Sequence, residues 1–497
     1  MKLSQILSQV KTPHKILQAG FPIDSIEVLD ITLDSRLAKK NSVFFALQGK
    51  AKDGSEFIND AIKNGAEVVV CESGKFQSSQ VLIIETPNPF SLLVEFLKVF
   101  YAPLPANIYA ITGTNGKTSS AEFTRQILQF LGKKSASIGT LGVITNAEIK
   151  DLQSSSLTTP DIVSLYKNLQ ILKKNGVDDV ALEVSSIGLE QGRVAGVKIA
   201  VGAFTNLTQD HLDYHKSMEE YLRCKTILFT NTLENGGFAV LNSDIAEFGK
   251  LQKTCLEKNH KIIEYGFKAR DLRLEKIEAT EFGQKVFFEF AQKKYQFDLA
   301  VSGDFQAFNA LCALGNVLAK NNLNEAQLTN LLENFHELHP AAGRMQRVAT
   351  LPNKAQIFID FAHSPDALKN VLQLAKKITK ARVVVLFGCG GDRDAKKRPI
   401  MGGIASELAD LVIVTDDNPR SEKPEAIRSE ILAACAMSKT IEIADRKTAI
   451  EKAVTMLEDS DILILAGKGH EKYQIIGDTK FEFDEEKIVK NALTKSS

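Results

Sequence analysis

The chain has 497 residues, which at about 150 residues per domain predicts three domains. It carries 61 lysines and arginines against 61 aspartates and glutamates, so its formal net charge is zero, and 44% of its residues are hydrophobic. This composition excludes an intrinsically disordered chain, which would have fewer apolar residues and unbalanced charge. It also disfavours a general nucleic-acid binder, which would have a basic surplus. We expect a soluble globular protein whose chemistry is local.

The N-terminal segment and the cysteines predict a location. Residues 1–17 contain no apolar core of the kind found in secretory signals, and no apolar run reaches the roughly 18 residues of a membrane helix. The six cysteines are far apart and form no CxxC pair, which favours reduced thiols. We therefore expect a cytoplasmic protein with no stable membrane association.

Two proline-containing stretches predict the domain boundaries. YAPLPAN at 101–107 and HELHPAAGR at 336–344 each separate helical sequence from a strand. They predict domains at 1–104, 105–340 and 341–497. Apolar runs alternate with helical patterns, beginning with the strands at 41–49 and 66–73, and this alternation is typical of parallel sheets. The predicted fold class is α/β with three domains.

The clearest single motif is a phosphate loop that follows the apolar strand IYAIT at 108–112 and precedes a helix. Glycines let such a loop turn tightly, a lysine reaches the β/γ-phosphates, a threonine holds Mg²⁺, and the helix N-terminus adds positive potential. The full GxxxxGK[ST] pattern would have glycine where Ile111 stands, and a plain glycine turn is the alternative. We predict a central P-loop ATPase domain whose ATP-binding residues are Gly113, Thr114, Asn115, Gly116, Lys117, Thr118 and Ser119.

Candidate metal ligands lie downstream of the loop. Glu183 ends an apolar strand, where an acidic Mg²⁺ ligand is expected, although a capping or solvated glutamate would have the same pattern. His211 lies in DHLDYH, where histidine and carboxylates could bind a divalent ion, but a solvated helix start is the alternative. The spacing of Lys225 is that of an ordinary lysine on a helix surface.

Four apolar strands of the last domain each end in a polar or glycine-rich turn. Ligands of open parallel sheets bind at the carboxyl ends of the strands, so these turns should converge on one site of a Rossmann-like domain. Both signs of charge occur there, which suits a ligand with ammonium and carboxylate groups, such as an amino acid. The charged and polar residues of the four turns are Asp360, His363, Arg393, Asp394, Asp417, Asn418, Arg420, Lys468, His470 and Glu471.

Taken together, the motifs resemble those of the Mur ligase family, the ATP-dependent amide-forming enzymes of peptidoglycan precursor synthesis. The matching motifs are GTNGKTS, TTPD at 158–161, EVSS at 183–186, NLTxDHLDYH at 206–215, YxxxK at 221–225, GRMQ, DFAHSPDAL and GCGGDRD. Three positions depart from the family pattern: Ile187 replaces a frequent histidine, Phe361 a common tyrosine, and residues 306–308 alter the usual GxFNxxN.

The resemblance implies roles for individual residues. It implies that Lys225 is N-carboxylated by CO₂ and is catalytic together with Lys117 and His211, and it places Asn309 near the adenine of ATP. It further implies that two Mg²⁺ ions are held by Thr118, Glu183, His211 and the carbamate of Lys225. The residues it assigns to the UDP-muramoyl-dipeptide are Ser35, Thr158, Thr159, Ser185, Gln191 and Arg193.

The DNPR sequence at 417–420 resembles the family version that accepts meso-2,6-diaminopimelate, whose distal carboxylate Arg420 and Arg393 could clamp. The resemblance then implies ATP-dependent addition of this amino acid to the γ-carboxylate of UDP-N-acetylmuramoyl-L-alanyl-D-glutamate through an acyl phosphate. We expect a monomer that acts on small molecules and binds no nucleic acid. The amino-acid-binding residues it implies are Arg393, Asp417, Asn418, Pro419, Arg420, Gly467 and Glu471.

Other functions remain as alternatives. L-Lysine could be the added amino acid, and a ligase adding D-alanyl-D-alanine would share most motifs. Folylpolyglutamate synthetase shares the GTNGKT loop but should lack the DNPR loop and the first domain. A GTPase switch would need an NKxD motif, which the sequence lacks, and a scaffold protein would leave the four convergent turns unexplained.

Overall fold

The structure, a computed structural model, describes residues 1–17, 22–49, 52–76, 78, 80–153, 155, 157–280 and 283–496. Two compact units form it: Met1–Ile108, Lys133–Ala200 and Asn231–Glu234 in the first, and Tyr109–Gly132, Val201–Thr230 and Asn235–Ser497 in the second. The domain boundaries expected after residues 104 and 340 stay predictions. In the part of the chain described, no helix has the length and apolar character needed to cross a membrane.

Helices and strands alternate through much of the described chain, as predicted. The N-terminal elements are α1 (Leu3–Leu7), β1 (Lys15–Leu17), β2 (Asp30–Thr32), β3 (Ser42–Phe45), α2 (Ile58–Lys63), β4 (Val68–Glu72), β5 (Leu82–Thr86) and α3 (Pro89–Phe100). The next are β6 (Asn107–Thr112), α4 (Lys117–Phe130), β7 (Ser135–Gly139), β8 (Gly142–Thr145), α5 (Ile162–Lys174), β9 (Asp179–Glu183), α6 (Ser186–Glu190), β10 (Ile199–Phe204), α7 (Leu212–His215) and α8 (Met218–Ile227).

The remaining elements complete the second half of the chain. They are β11 (Leu233–Asn242), α9 (Phe248–Glu257), β12 (Lys261–Gly266), β13 (Leu272–Thr280), β14 (Gly283–Phe290), β15 (Lys293–Leu299), α10 (Asp304–Lys320) and α11 (Glu325–Glu333). The last are β16 (Gln346–Thr350), β17 (Gln356–Asp360), α12 (Pro365–Ile378), β18 (Val383–Phe387), α13 (Lys397–Leu408), β19 (Leu411–Val414), α14 (Pro424–Leu432), β20 (Thr440–Glu442), α15 (Arg446–Thr455), β21 (Ile462–Ala466), β22 (Tyr473–Ile476), β23 (Thr479–Glu482) and α16 (Glu485–Ser496).

The first unit contains a five-stranded sheet in the order β1-β5-β4-β3-β2. Strands β2 to β5 pair in parallel, and β1 is antiparallel to β5. Further along the chain, β7 pairs in parallel with β9 and antiparallel with β8. Strand β9 therefore ends at Glu183, beside the end of β7.

The second unit holds the phosphate loop. Strand β6 pairs in parallel with β10, with Thr112 opposite Phe204, so that Gly113 and Thr205 begin adjacent loops at the same sheet edge. Strands β11 to β13 pair in parallel, and β13 to β15 form an antiparallel meander.

A six-stranded sheet in the order β16-β17-β21-β18-β19-β20 forms the C-terminal part of the second unit. All its strands are parallel except β16. Alternate residues of β18 enter two separate apolar clusters. Val383 and Val385 belong to one cluster, and Val384 and Leu386 belong to the other. Because helices cover both faces of the sheet, these strands read as continuous apolar runs. The four turns predicted to converge do follow four neighbouring parallel strands.

Candidate active site

The phosphate loop requires glycine at two positions. Gly113 (φ 145°) and Gly116 (φ 85°) both have positive φ angles. A Cβ atom on Gly113 would lie 1.9 Å from Thr205 Oγ1, and one on Gly116 would lie 2.4 Å from Asn309 Oδ1. The N–H groups of Thr114 and Asn115 donate to Asn206, at 2.9 and 2.8 Å. Four residues of the motif, Asn115, Gly116, Thr118 and Ser119, line the adjoining cavity.

Two lysines meet at the carbonyl of Gly113. Lys117 Nζ donates to Gly113 O at 2.9 Å and to Thr114 O at 2.8 Å, and Lys225 Nζ donates to the same Gly113 O at 2.8 Å. The spacing of Lys225 predicted a surface lysine, and that expectation is wrong, because only 1% of the residue is exposed. Burial and the charge of Lys117 together hold the pKa of Lys225 well below its usual value.

A cavity of about 360 Å³ adjoins the loop within the second unit. Its walls include Asn309, whose amide donates to Gln306 Oε1 at 3.1 Å, and the aromatic rings of Tyr265, Phe305 and Phe308. Adenine stacks on such rings, so the cavity has the lining that a nucleotide base requires. The expected ATP residues Asn115, Gly116, Thr118, Ser119 and Asn309 all line it.

The C-terminal part of the second unit contributes Arg344 and Asp360 to the same cavity. The sequence assigned no role to Arg344, whereas it placed Asp360 among the turns of the amino-acid site. Arg344 Nη2 donates to Thr118 Oγ1 at 3.3 Å, and Asn115 Nδ2 donates to Asp366 Oδ2 at 2.8 Å. Asp360 also lines the cavity and accepts the Met345 N–H at 2.6 Å. Burial raises the pKa of Asp360 to about 6, against the opposing effect of Arg344. The GRMQ motif was the sequence signal for Arg344.

His211 lies at the start of α7 with a left-handed backbone (φ 53°). The imidazole Nε2 of His211 is 3.6 Å from Asp210 Oδ2, and the backbone N–H of His211 donates to Asp210 Oδ1 at 2.9 Å. Burial alone would raise the pKa of Asp210, but the nearby His211, His363 and Lys397 hold it at about 2. This segment therefore places a carboxylate beside an imidazole in the second unit.

Glu183 in the first unit is buried, which excludes the solvated alternative. Its carboxylate accepts the Thr140 N–H at 2.9 Å and lies 3.2 Å from Thr140 Oγ1. A Cβ atom on Gly139 would lie 2.0 Å from Glu183 Oε1, so the strand β7 leaves space for this carboxylate. Thr140 was missed by the sequence reasoning, because no local pattern connects it to Glu183.

Five of the six residues expected to bind the muramoyl-dipeptide, all except Ser35, form a connected group in the first unit. Thr159 Oγ1 is 3.2 Å from Ser185 Oγ and accepts the Ser185 N–H at 2.9 Å. Arg193 donates to Thr159 O at 2.8 Å and to Gln191 Oε1 at 2.7 Å. Thr158 Oγ1 lies 3.2 Å from Thr140 Oγ1.

Two cavities of the first unit lie beside these residues. One of about 730 Å³ is lined by Gln191 and Arg193, and another of about 750 Å³ is lined by Ser35 and Arg36. Asp161, which follows Thr158 and Thr159 in the TTPD motif, lines both. The first unit thus offers room for a substrate considerably larger than an amino acid.

The DNPR turn in the second unit is hydrogen-bonded to the turn that follows β21. Asn418 Nδ2 donates to Glu471 Oε2 at 2.9 Å. Gly467 has a positive φ of 112°, and a Cβ atom at this position would lie 2.7 Å from Asp417 Oδ2, so the glycine leaves space for that carboxylate. Burial and the neighbouring Asp417 raise the pKa of Glu471. Pro419 lies between Asn418 and Arg420. The backbone of Arg420 is left-handed, with a φ of 51°.

Two arginines lie in this group of turns. Arg420 Nη1 donates to Gly391 O at 2.7 Å, and Arg393 Nη1 donates to Asp392 O at 3.0 Å. Burial and then the charge of Arg393 lower the pKa of Arg420, so the two cations are close enough to repel each other. The expected amino-acid residues are therefore brought together, with cations and carboxylates in one group.

The second unit has a P-loop on a parallel sheet and a second α/β sheet whose turns carry both cations and carboxylates, as a site for an amino acid would. This combination is typical of an enzyme that uses a nucleotide. Residues 27–99 match the Mur ligase family catalytic domain, residues 111–317 the Mur ligase middle domain, and residues 343–469 the Mur ligase glutamate ligase domain. The chain belongs to the Mur ligase family of ATP-dependent acid–amino-acid ligases, with its three-domain α/β fold.

Individual relatives agree with the family match. The chain is 43% identical over 460 residues to the UDP-N-acetylmuramoyl-L-alanyl-D-glutamate–2,6-diaminopimelate ligase of Chelativorans sp. (strain BNC1), covering 93% of each chain. A solved structure of a ligase with that name is 29% identical, with a TM-score of 0.67 and coverage of 100% of this chain and 99% of the other. Folylpolyglutamate synthase of Mycobacterium tuberculosis, 18% identical with a TM-score of 0.59, covers 75% of this chain and 91% of its own, and shares the fold.

Proposed function

We propose that the protein adds meso-2,6-diaminopimelate to the γ-carboxylate of the D-glutamyl residue of UDP-N-acetylmuramoyl-L-alanyl-D-glutamate, with hydrolysis of ATP to ADP and phosphate. The observation that carries the proposal is the 43% identity, over 93% of both chains, to a diaminopimelate ligase. The hydrogen-bonded DNPR turn, with Arg393 and Arg420 side by side, supports the choice of amino acid. The three predicted domains would bind the muramoyl substrate, ATP and the amino acid, in chain order.

In this proposal the phosphate loop and the 360 Å³ cavity bind ATP. The N-terminus of α4 would face the phosphates with its positive end. Lys117 begins that helix and is held at the loop by two carbonyl groups, from which its charge can reach the β/γ-phosphates. Asn309 and the rings beside it would contact the adenine.

Lys225 fits the proposed carbamate. Among the described residues, no carboxylate lies within 4 Å of its amine, which is fully buried and repelled by Lys117. Burial and the charge of Lys117 lower the pKa of Lys225, which favours the neutral amine, and it is the neutral amine that attacks CO₂, forming an N–C bond and releasing one proton. The product is a carboxylate that relieves the repulsion with Lys117.

Two Mg²⁺ ions, held by Thr118, Glu183, His211 and the carbamate of Lys225, would neutralise charge on the transferred phosphoryl group. The donors fit a hard cation: Glu183 is an anionic oxygen fixed by Thr140, and Thr118 adds a hydroxyl. The pKa of Asp210 near 2 keeps a negative charge beside His211, whose imidazole Nε2 lies 3.6 Å from Asp210 Oδ2 and would be oriented by it.

The reaction divides into two displacements. An oxygen of the γ-carboxylate attacks the γ-phosphorus of ATP, the bond to the β-phosphate oxygen breaks, and ADP leaves. The amine of diaminopimelate then attacks the acyl carbon, loses a proton, and phosphate leaves with the electrons of the C–O bond. Lys117 stabilises charge on the phosphoryl group, whereas Thr158, Thr159, Ser185, Gln191 and Arg193 would orient the muramoyl-dipeptide, with Ser35 contacting its uridine diphosphate.

The DNPR turn gives the proposed specificity. Asp417 and Glu471 would bind an ammonium group, while Arg393 and Arg420 would bind the distal carboxylate that lysine lacks. We also propose that the enzyme acts as a monomer in the cytoplasm, where its substrates are made.

The proposal is tested by phosphate release from ATP in the presence of UDP-N-acetylmuramoyl-L-alanyl-D-glutamate. Diaminopimelate, L-lysine and D-alanyl-D-alanine are compared as acceptors at equal concentrations. We expect kcat/KM for diaminopimelate to exceed that for lysine by at least about 100-fold, the value of one lost charged contact. A preference for lysine would refute the assigned specificity, and no release without the muramoyl substrate is the control for uncoupled ATPase activity.

A further inference from the structure

Lys468, in the turn that follows β21, has no exposed surface. Its Nζ donates to Asn418 Oδ1 at 3.0 Å and to Tyr473 O at 2.7 Å, and lies 3.9 Å from Glu471 Oε2. A buried ammonium group is costly unless it is hydrogen-bonded and paired. Here its partners are two side chains of the DNPR site and the first residue of the β22–β23 hairpin.

These contacts fix the orientation of the Asn418 amide. Lys468 Nζ and the Ile475 N–H, at 2.9 Å, can only donate, and both point at Asn418 Oδ1. The Nδ2 group must then face the other way, where it donates to Glu471 Oε2 at 2.9 Å. The amide therefore cannot flip without two donors losing their acceptor.

Lys468 also balances the charge of the site. The carboxylates of Glu471 and Asp417 lie close together. Burial has the largest effect and raises the pKa of Glu471, and repulsion by Asp417 raises it further. Lys468, Arg420 and the Asn418 amide act in the opposite direction. The charges of Arg446 and Glu485, which form a buried ion pair at 2.8 Å, also act on the pKa of Lys468, Arg446 lowering it and Glu485 raising it.

The hairpin is joined to the same group. Arg420 N–H donates to Ile475 O at 3.2 Å, and the Gly477 N–H donates to Arg420 O at 2.8 Å. Gln474 Nε2 donates to Asp417 O at 2.6 Å. Because Lys468 binds both Asn418 and Tyr473, it connects the turn that recognises the amino acid to the strand that holds this turn.

We infer that Lys468 is a positioning residue that holds Asn418 and Glu471 in the arrangement that binds the ammonium group of the incoming amino acid. It is too deeply buried to touch the substrate itself. The inference rests on the proposed function, because it needs the DNPR group to be the amino-acid site.

The test compares Lys468→Met, which keeps the length of the side chain and removes its charge, with Lys472→Met as a matched control. Lys472 lies four residues later, and its side chain is 71% exposed. In Lys468→Met we expect the KM for diaminopimelate to rise about tenfold or more, because about that much affinity is lost with one charged hydrogen bond. The KM values for ATP and the muramoyl substrate and kcat should change less than threefold, and Lys472→Met should match the wild type.

A parallel change in all three KM values, or an unchanged KM for diaminopimelate, would overturn the inference. If Lys468→Met does not fold, Lys468→Gln serves for the same comparison, and failure of both to fold shows a folding role and overturns it as well. A double variant adds a second readout: in an Asn418→Ala background, Lys468→Met should raise the KM less than threefold further. Wild-type enzyme that fails to use diaminopimelate would instead refute the proposed function, which separates the two results.

Discussion

Replacement of Lys225 by alanine should remove the carbamate and with it most of the activity. The residue is 1% exposed, and its amine and that of Lys117 lie 2.8 and 2.9 Å from the same Gly113 oxygen. The two nitrogens are therefore no more than 5.7 Å apart, the sum of those distances. A charge placed on Lys225 acts directly on Lys117 at the phosphate loop.

The size of the effect follows from this separation. At 5.7 Å and an effective dielectric constant near 20, two unit charges interact by about 3 kcal/mol. A carbamate attracts Lys117 by about that amount, whereas an ammonium would repel it by the same amount. In the proposed mechanism this attraction fixes Lys117 where it stabilises the charge that develops on the phosphoryl group, so we expect loss of the carbamate to lower kcat by about 100-fold, since 1.4 kcal/mol corresponds to a factor of ten.

The assay is phosphate release with saturating ATP, muramoyl substrate and diaminopimelate. We expect Lys225→Ala to retain about 1% of the wild-type kcat and to regain part of the activity with millimolar acetate or propionate, whose carboxylate fits the space left by the side chain. Arg223→Ala, in the same helix α8 with a side chain that is 58% exposed, is the matched control and should keep its activity. Full activity of Lys225→Ala, or no response to either acid by an impaired enzyme, would refute the carbamate assignment.

Three further predictions use the same assays. Gly116→Ala should raise the KM for ATP about tenfold or more, because its Cβ would lie 2.4 Å from Asn309 Oδ1 at a φ of 85°; a KM within twofold of the wild type contradicts this. Arg420→Lys should lower the preference for diaminopimelate over lysine at least about tenfold, since it loses the planar donor bound to Gly391 O at 2.7 Å, and an unchanged ratio contradicts it. Burial raises the pKa of Asp360 to about 6, so its favourable contribution is complete below about pH 4 and is lost as the pH rises through 6. Relative to Asp360→Asn, the wild type should lose about 3 kcal/mol of unfolding free energy between pH 4 and 7 in thermal denaturation, and equal losses in both proteins would disprove it.

The parts of the fold that follow from local patterns were predicted correctly. Strand β6, the loop and α4 are consecutive in sequence, and the parallel strands of the C-terminal sheet are apolar because both faces are covered. Neither conclusion requires knowledge of distant residues.

The contacts that could not be predicted join segments far apart in sequence. Arg344 reaches Thr118 across 226 positions, and Thr140 reaches Glu183 across 43. The burial of Lys225 could not be predicted from its spacing for the same reason, because helical spacing contains no information about which segment covers a residue. Only the family motif indicated that this lysine differs from its neighbours, and its burial now gives a physical cause.

The ATP and amino-acid sites share one electrostatic arrangement, in which cations are held by main-chain carbonyl groups. Lys117 donates to Gly113 O and Thr114 O, while Arg420 donates to Gly391 O and Arg393 to Asp392 O. A carbonyl oxygen satisfies an N–H group and fixes its position, but it carries no net charge that would neutralise the cation. Lys117 in the ATP site, and Arg393 with Arg420 in the amino-acid site, therefore retain positive potential for an anionic group, a phosphate in the first case and a carboxylate in the second. A chain with zero net charge can bind strongly anionic substrates because its charge is placed locally in this way.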